Sequence, residues 1–214
     1  MTHGFCGLRD SASRTPRRKS RSLLTTNLLD PFGMSHSSFG RLDRYTKDAA
    51  DGHGPSGRPA LSGNGQYLRM PAAERERLRA LPDSSDDASA SAGLYTTASD
   101  YARFMIEIMQ PTKRGEHHLS DSYVTEMLKP QIEVAPDIAW GLGWGIEQTA
   151  SGNAYWHWGD WGVFRNFAIA FREQRLGVVV LTNSFYGPEV YGQLIPGAIG
   201  ETHPAFAWVN SYRP

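Results

Sequence analysis

Hydrophobic and polar positions change their rhythm several times along this chain. Over residues 1–26 there is no apolar periodicity at all, and arginine and serine dominate. Leu23, Leu24, Leu28 and Leu29 then space as one side of a short helix, which Pro31 and Gly33 end. Residues 35–81 are interrupted by Gly52, Gly54, Pro55, Gly57, Pro59, Gly63 and Gly65, so loops are expected, with a short polar helix at 72–81. The acidic stretch 82–91, PDSSDDASAS, reads as a solvated turn rather than a metal site.

Residues 97–110 carry the clearest helical pattern. Tyr101, Phe104, Met105, Ile108 and Met109 recur at i, i+3, i+4, i+7 and i+8, which makes one buried face. Thr97 and Asp100 resemble a capping box with Asp in place of the usual Glu, and Pro111 stops the helix. A second helix is expected at 120–129, capped by Ser120 or Asp121, burying Val124, Met127 and Leu128, and stopped by Pro130. Between them His117 and His118 read as surface residues, since adjacent histidines make a poor metal pair.

Beyond residue 135 the period shifts toward two. Residues 140–146, WGLGWGI, alternate glycine with large apolar side chains, predicting a strand with Trp140, Leu142, Trp144 and Ile146 on one face. Its bare glycine face implies close approach by backbone, aromatic rings or a ligand. Residues 154–158 are aromatic, and 165–171 place Phe167, Ile169 and Phe171 opposite Asn166, Ala168 and Ala170. After a break at Glu173, Gln174 and Arg175, the run Gly177-Val-Val-Val-Leu181 has the continuous apolar character of a strand covered on both faces. Two or three antiparallel strands with short connections follow from this. Pro188, Val190, Tyr191, Leu194 and Ile195 predict a last helix, with Pro196 breaking its second half before Gly200.

Composition narrows the function classes. The chain has 214 residues, 40% of them hydrophobic and 11% aromatic, enough for a substantial core. Formal charge is zero, so nothing points to nucleic acid or an anionic membrane. Residues 1–26 nevertheless carry six basic side chains against Asp10 alone, a local +5 that leaves −5 for the remainder. This stretch is expected to be a disordered basic leader. The single cysteine, Cys6, excludes an internal disulfide and cysteine-based zinc binding. No apolar run is long enough for a membrane span, and none before Asn27 forms a secretory signal. A cytoplasmic chain is the expectation as the sequence stands, with the compartment left open.

The chemistry should sit at His157-Trp158-Gly159. That tripeptide belongs to a succession: Leu29-Asp-Pro-Phe-Gly-Met34, Ser91-Ala-Gly-Leu-Tyr-Thr-Thr-Ala-Ser-Asp-Tyr-Ala-Arg-Phe104, Gly141-Leu-Gly-Trp144, His157-Trp-Gly159 and Val178-Val-Val-Leu-Thr-Asn183. The succession resembles the C-terminal part of the serine beta-lactamase-related family, which includes class C beta-lactamases, D-alanyl-D-alanine carboxypeptidases and related esterases. The resemblance covers about residues 27–200. It implies an α+β fold: an antiparallel sheet flanked by helices, with part of a helical domain. The helical part would run over about 27–135 and the sheet part over about 136–200, in a partial domain spanning 27–214.

The family's mechanism, as the resemblance implies it, uses a Ser-x-x-Lys, a Tyr-x-Asn and a Lys-x-Gly or His-x-Gly. His157-Trp158-Gly159 matches the third. His157 then becomes an auxiliary catalytic residue, with Trp158 and Gly159 binding substrate. Glycine there lets a small ester or amide lie along the strand, and no cofactor or metal is implied. The other two motifs are missing. Residues three before Lys19, Lys47, Lys113 and Lys129 are Pro16, Arg44, Gln110 and Glu126, and no tyrosine has asparagine two positions later. Ser62-Gly-Asn64 and Ser151-Gly-Asn153 read as turns. In the family both missing motifs precede the Leu29–Met34 segment, so the resemblance implies a truncated homologue that is inactive alone. Its strand at 177–183 would lose a neighbour and depend on a partner supplying the missing N-terminal strands. A second reading keeps only binding: a non-catalytic protein that stacks a ligand on Trp156, Trp158 and Trp161 around His157.

Overall fold

The computed structural model describes residues 22–40, 45, 48–60, 71, 73, 77, 93–111 and 118–211. Most of the basic leader, nearly all of the expected polar helix at 72–81, the acidic stretch 82–91, Ser62-Gly-Asn64 and His117 lie outside the described residues.

A six-stranded meander forms the centre. Its strands are β5 (Ile132–Ala135), β6 (Ile138–Trp140), β7 (Gly145–Thr149), β8 (Gly152–Asp160), β9 (Arg165–Phe171) and β10 (Leu176–Val180). Each pairs antiparallel with its neighbour in sequence, in the order β10-β9-β8-β7-β6-β5. The alternation in 165–171 decides which layer covers each face. Phe167, Ile169 and Phe171 are buried with Tyr191, Ile195, Ala205 and Val209, from helices α3 (Gly187–Ile199) and α4 (Pro204–Ser211). Ala168 and Ala170 face the other way, onto Met105, Ile108 and Met109 of α1 (Ala98–Met109) and Val124 of α2 (Asp121–Met127). Small side chains on that face let the helices sit close to the sheet, while the opposite layer is built on large rings. The result is an α+β fold with helices on both faces of an antiparallel sheet.

Residues 140–146 are not one strand. Gly141 N–H donates to Trp144 O at 2.8 Å, Leu142 N–H donates to Met127 O at 2.8 Å, and Gly143 adopts φ +82°. This turn joins β6 to β7 and sends Trp140 and Trp144 into opposite layers. Glycine–aromatic alternation mimics a strand, but Gly143 supplies the left-handed backbone that a turn requires. The close approach expected at the glycines is present. A Cβ on Gly145 would lie 2.5 Å from the Trp156 ring, which is fully buried there.

Thr97 caps α1 by accepting the Asp100 N–H at 3.2 Å. Asp100 does not complete the reciprocal box. Its buried carboxylate instead accepts His36 N–H at 2.8 Å and Ser37 Oγ–H at 2.8 Å, and also pairs with Arg103. A shorter aspartate, unlike glutamate, is held where it ties a distant loop to the helix. His118 is likewise no surface residue. Its Nδ1 lies 2.6 Å from the Glu107 carboxylate, and its ring stacks on Phe32. Ser120 caps α2. Helix α3 continues through Pro196 to a left-handed Gly200, whose N–H donates to Pro196 O at 2.7 Å. Burial of Tyr191 and Ile195 against the sheet outweighs the roughly 3 kcal/mol an internal proline costs.

The N-terminal described segment makes a helical turn at Thr25–Leu29, and Leu29, Phe32, Met34 and Phe39 cluster beside Phe104. Two short pairs follow: β1 (Ser38–Phe39) with β4 (Leu94–Tyr95), and β2 (Gly52–His53) with β3 (Pro59–Ala60). Among the described residues, β10 is an edge strand. The chain beyond it is covered, since His53 N–H donates to Asn183 O at 2.7 Å and Phe185 N–H donates to His53 O at 2.8 Å.

Candidate functional site

Strand β8 has two neighbours over only part of its length. The ladder with β7 runs from Gly152 opposite Thr149 to Trp156 opposite Gly145, and there it stops. The Gly141–Trp144 turn has withdrawn the neighbouring chain. From His157 to Asp160 the strand pairs with β9 alone, in the register His157↔Ala168, Trp158↔Phe167, Gly159↔Asn166 and Asp160↔Arg165. These four residues therefore present one unpaired backbone edge among the described residues.

Side-chain alternation divides the expected site residues between the two faces. By strand alternation His157 and Gly159 leave β8 on the same side as Tyr155, but the His157 ring turns over the open edge to reach Trp140 and Trp158. Trp158 lies on the opposite face, part-buried with Trp140, Trp156 and Trp208, its ring T-shaped to Trp208 at 5.6 Å. Trp156 is fully buried and stacked on Phe167 at 5.6 Å. Of the three tryptophans flanking the motif, only Trp161 is largely exposed, at 57%.

His157 Nδ1 lies 2.7 Å from Trp158 O. A carbonyl only accepts, so Nδ1 carries the proton and the Nε2 lone pair is left free in the neutral ring. The ring sits 5.6 Å from Trp158 and 6.0 Å from Trp140, centroid to centroid. Desolvation by these surroundings lowers the imidazole below its ordinary value of 6.5, and the hydrogen bond to Trp158 partly opposes that shift. The residue is still open to solvent, which limits the effect. A neutral imidazole with a free Nε2 can accept a proton near neutral pH.

The hairpin tip beside the site is locked. Asp160 Oδ1 accepts Gly162 N–H at 2.8 Å and Arg165 Nε–H at 3.0 Å. Arg165 Nη1–H donates to Phe185 O at 3.0 Å, and its guanidinium lies 4.2 Å above the Phe185 ring. Next to it, Asn166 Oδ1 accepts Thr182 N–H at 2.8 Å. Sequence reasoning read Asn166 only as a polar position on an alternating strand. Counting back from the hairpin turn would have set it opposite Gly159.

Nothing else described assembles a nucleophile with its base. Ser35 Oγ and His36 Nδ1 lie 3.2 Å apart and exposed, but the nearby Asp100 holds the His36 backbone rather than its ring. An imidazole lacking that orienting partner does not activate the hydroxyl. Ser151-Gly-Asn153 belongs to the β7–β8 turn, with Gly152 at φ +107°. No group of three or more His, Cys, Asp or Glu that could hold a metal occurs among the described residues.

The family model described as Beta-lactamase matches residues 12–196. The chain belongs to the beta-lactamase family. Among solved structures, this beta-lactamase-family chain is similar to an octameric penicillin-binding protein homologue from Pyrococcus abyssi, at 21% identity and a TM-score of 0.61. That match covers 85% of this chain and 38% of the other. A penicillin-binding protein from Bacillus halodurans aligns at 20% identity and a TM-score of 0.56, covering 82% of this chain and 49% of that one. A beta-lactamase/D-alanine carboxypeptidase from Pseudomonas syringae aligns at 13% identity and a TM-score of 0.64, covering 86% and 54%. At these identities the likeness is one of fold, and the chain spans between 38% and 54% of the length of these structures. No match was found among curated proteins.

Proposed function

We propose that this chain supplies the strand wall of a beta-lactamase-type cleft. It binds a small ester or amide without forming a covalent acyl-enzyme by itself. The observation that carries this reading is the backbone of residues 157–160, unpaired on one side, with His157 and Gly159 on one face of it. An acyl ligand laid along that edge can pair with the free main-chain groups, as added strands do. Gly159 keeps its path clear, for a Cβ there would meet, chain neighbours aside, one atom of the described residues within 4 Å. His157 Nε2 is available to accept a hydrogen bond or a proton from the ligand or an adjacent water.

Acyl transfer needs an activated nucleophile. No Ser-x-x-Lys occurs anywhere in the 214 residues, and the one Ser–His contact described lacks an orienting carboxylate. The reading based on tryptophan stacking loses support from the packing of Trp156, and what favours it is the exposed Trp161 at the hairpin tip. Incubation with a fluorescent penicillin and with a fluorophosphonate probe tests the proposal. We expect reversible quenching of tryptophan fluorescence by penicillin and no covalent label. A serine labelled by either reagent would overturn it.

A further inference from the structure

The geometry points to Asn166 as a ligand-binding residue of the same wall, its amide NH2 donating to a carbonyl oxygen of an acyl ligand lying over Gly159. This rests on the reading of 157–160 as a binding edge.

Asn166 faces Gly159 directly across the β8–β9 ladder. The gap left by glycine has one neighbour among the described residues: chain neighbours aside, a Cβ built on Gly159 would meet Asn166 Nδ2 at 3.9 Å and no other described atom within 4 Å. The amide's orientation is set by its other end. Thr182 N–H is a donor, so the atom 2.8 Å from it must be the oxygen, and Nδ2 must turn toward Gly159. Thr182 is itself fixed, its Oγ donating to Arg165 O at 2.6 Å. The Nδ2 hydrogens have no partner among the described residues.

An amide whose oxygen is anchored and whose donors overlook an empty glycine position is pre-organised for an acceptor. His157 is the diagonal cross-strand neighbour on the same face, at roughly 7–8 Å by strand geometry. Its free Nε2 accepts where Asn166 donates. Asp160 and Arg165, the chain neighbours of Gly159 and Asn166, pair with each other. A ligand carbonyl oxygen therefore meets a neutral donor rather than an ion.

The test titrates benzylpenicillin into the 15N-labelled full chain and follows two sets of NMR signals. These are the side-chain NH2 pair of Asn166, assigned by through-bond correlation to its own backbone, and the backbone amides of residues 157–160. We expect both to shift together. Asn166→Asp, which keeps an oxygen for Thr182 N–H, should raise Kd about tenfold or more while the melting temperature stays close to that of the parent. Movement of the 157–160 amides with a stationary Asn166 pair, or unchanged affinity in a folded Asn166→Asp, overturns this assignment and leaves the binding edge standing. If neither set moves at saturating benzylpenicillin, the reading of the edge fails and takes Asn166 with it.

Discussion

Strand β8 contrasts two regions within one element. Ala154, Tyr155 and Trp156 have a partner strand on each side and are buried. His157, Gly159 and Asp160 have one partner strand and face solvent. Paired on both sides, backbone polar groups are consumed by the fold and side chains are consumed by the core. Paired on one side, they remain available to something else. What separates the halves is the turn at 141–144, where the neighbouring chain leaves the sheet. Stability and function should therefore divide at Trp156.

The largest expected effect lies on the buried side. Trp156 packs among Trp140, Phe167 and Trp208 with no exposure. Trp156→Ala should cost on the order of 3–5 kcal/mol in urea denaturation, the usual penalty for emptying a large aromatic site. Trp156→Phe should cost much less than Ala, partly because the buried indole Nε1–H has no hydrogen-bond partner among the described residues. Trp158→Ala, part-exposed, should fall well below Trp156→Ala. Equal losses at 156 and 158 would erase the proposed boundary.

Two glycines sharpen it. Gly145→Ala forces a methyl to within 2.5 Å of the Trp156 ring and should cost about 1–3 kcal/mol. Gly159→Ala makes only an ordinary contact with Asn166 Nδ2, at 3.9 Å, and should leave stability within about 0.5 kcal/mol. If the second half binds ligand, the order inverts for benzylpenicillin quenching: Gly159→Ala weakens it, and a folded Gly145→Ala does not.

The same contrast shows what could be read in advance. Strands at 165–171 and 176–180 and both helices of the α1/α2 layer were visible in apolar period alone, because one face of each meets a core. The α3 helix was visible too, but its passage through Pro196 was not, since that depends on Tyr191 and Ile195 docking on the sheet. Tertiary pairing also hid Asp100 and His118, whose partners are 64 and 11 residues away. His157 and Gly159 were marked by motif. The missing neighbour that opens their edge, and the Asn166 amide across from them, arise only from register.

A second open edge among the described residues, β10, tests whether exposure alone makes a binding site. It has no polar side chain comparable to His157 or Asn166, and Leu176 is 40% exposed there. An apolar edge pairs indiscriminately. The chain should self-associate as concentration rises in sedimentation velocity, and Leu176→Lys should reduce that without altering benzylpenicillin quenching. A parent chain that stays monomeric at all concentrations would show that this edge is inert.

The smallest expected effect belongs to His157. Partial desolvation beside Trp140 and Trp158 lowers its pKa in the folded chain below the ordinary 6.5. Above pH 6.5 the ring is mostly neutral in both states and contributes no pH dependence. Below that value the unfolded chain takes up the proton first, so stability should decline as pH falls from about 6.5 through the folded value, then level off. His157→Gln removes the titrating group, and the difference in stability between parent and variant should then change with pH only in that window. A difference that stays flat from pH 7 down to 5 would mean that His157 is solvated as freely as in the unfolded chain. The ring would then lie off the strand, no longer held over its open edge with Nε2 presented to a ligand.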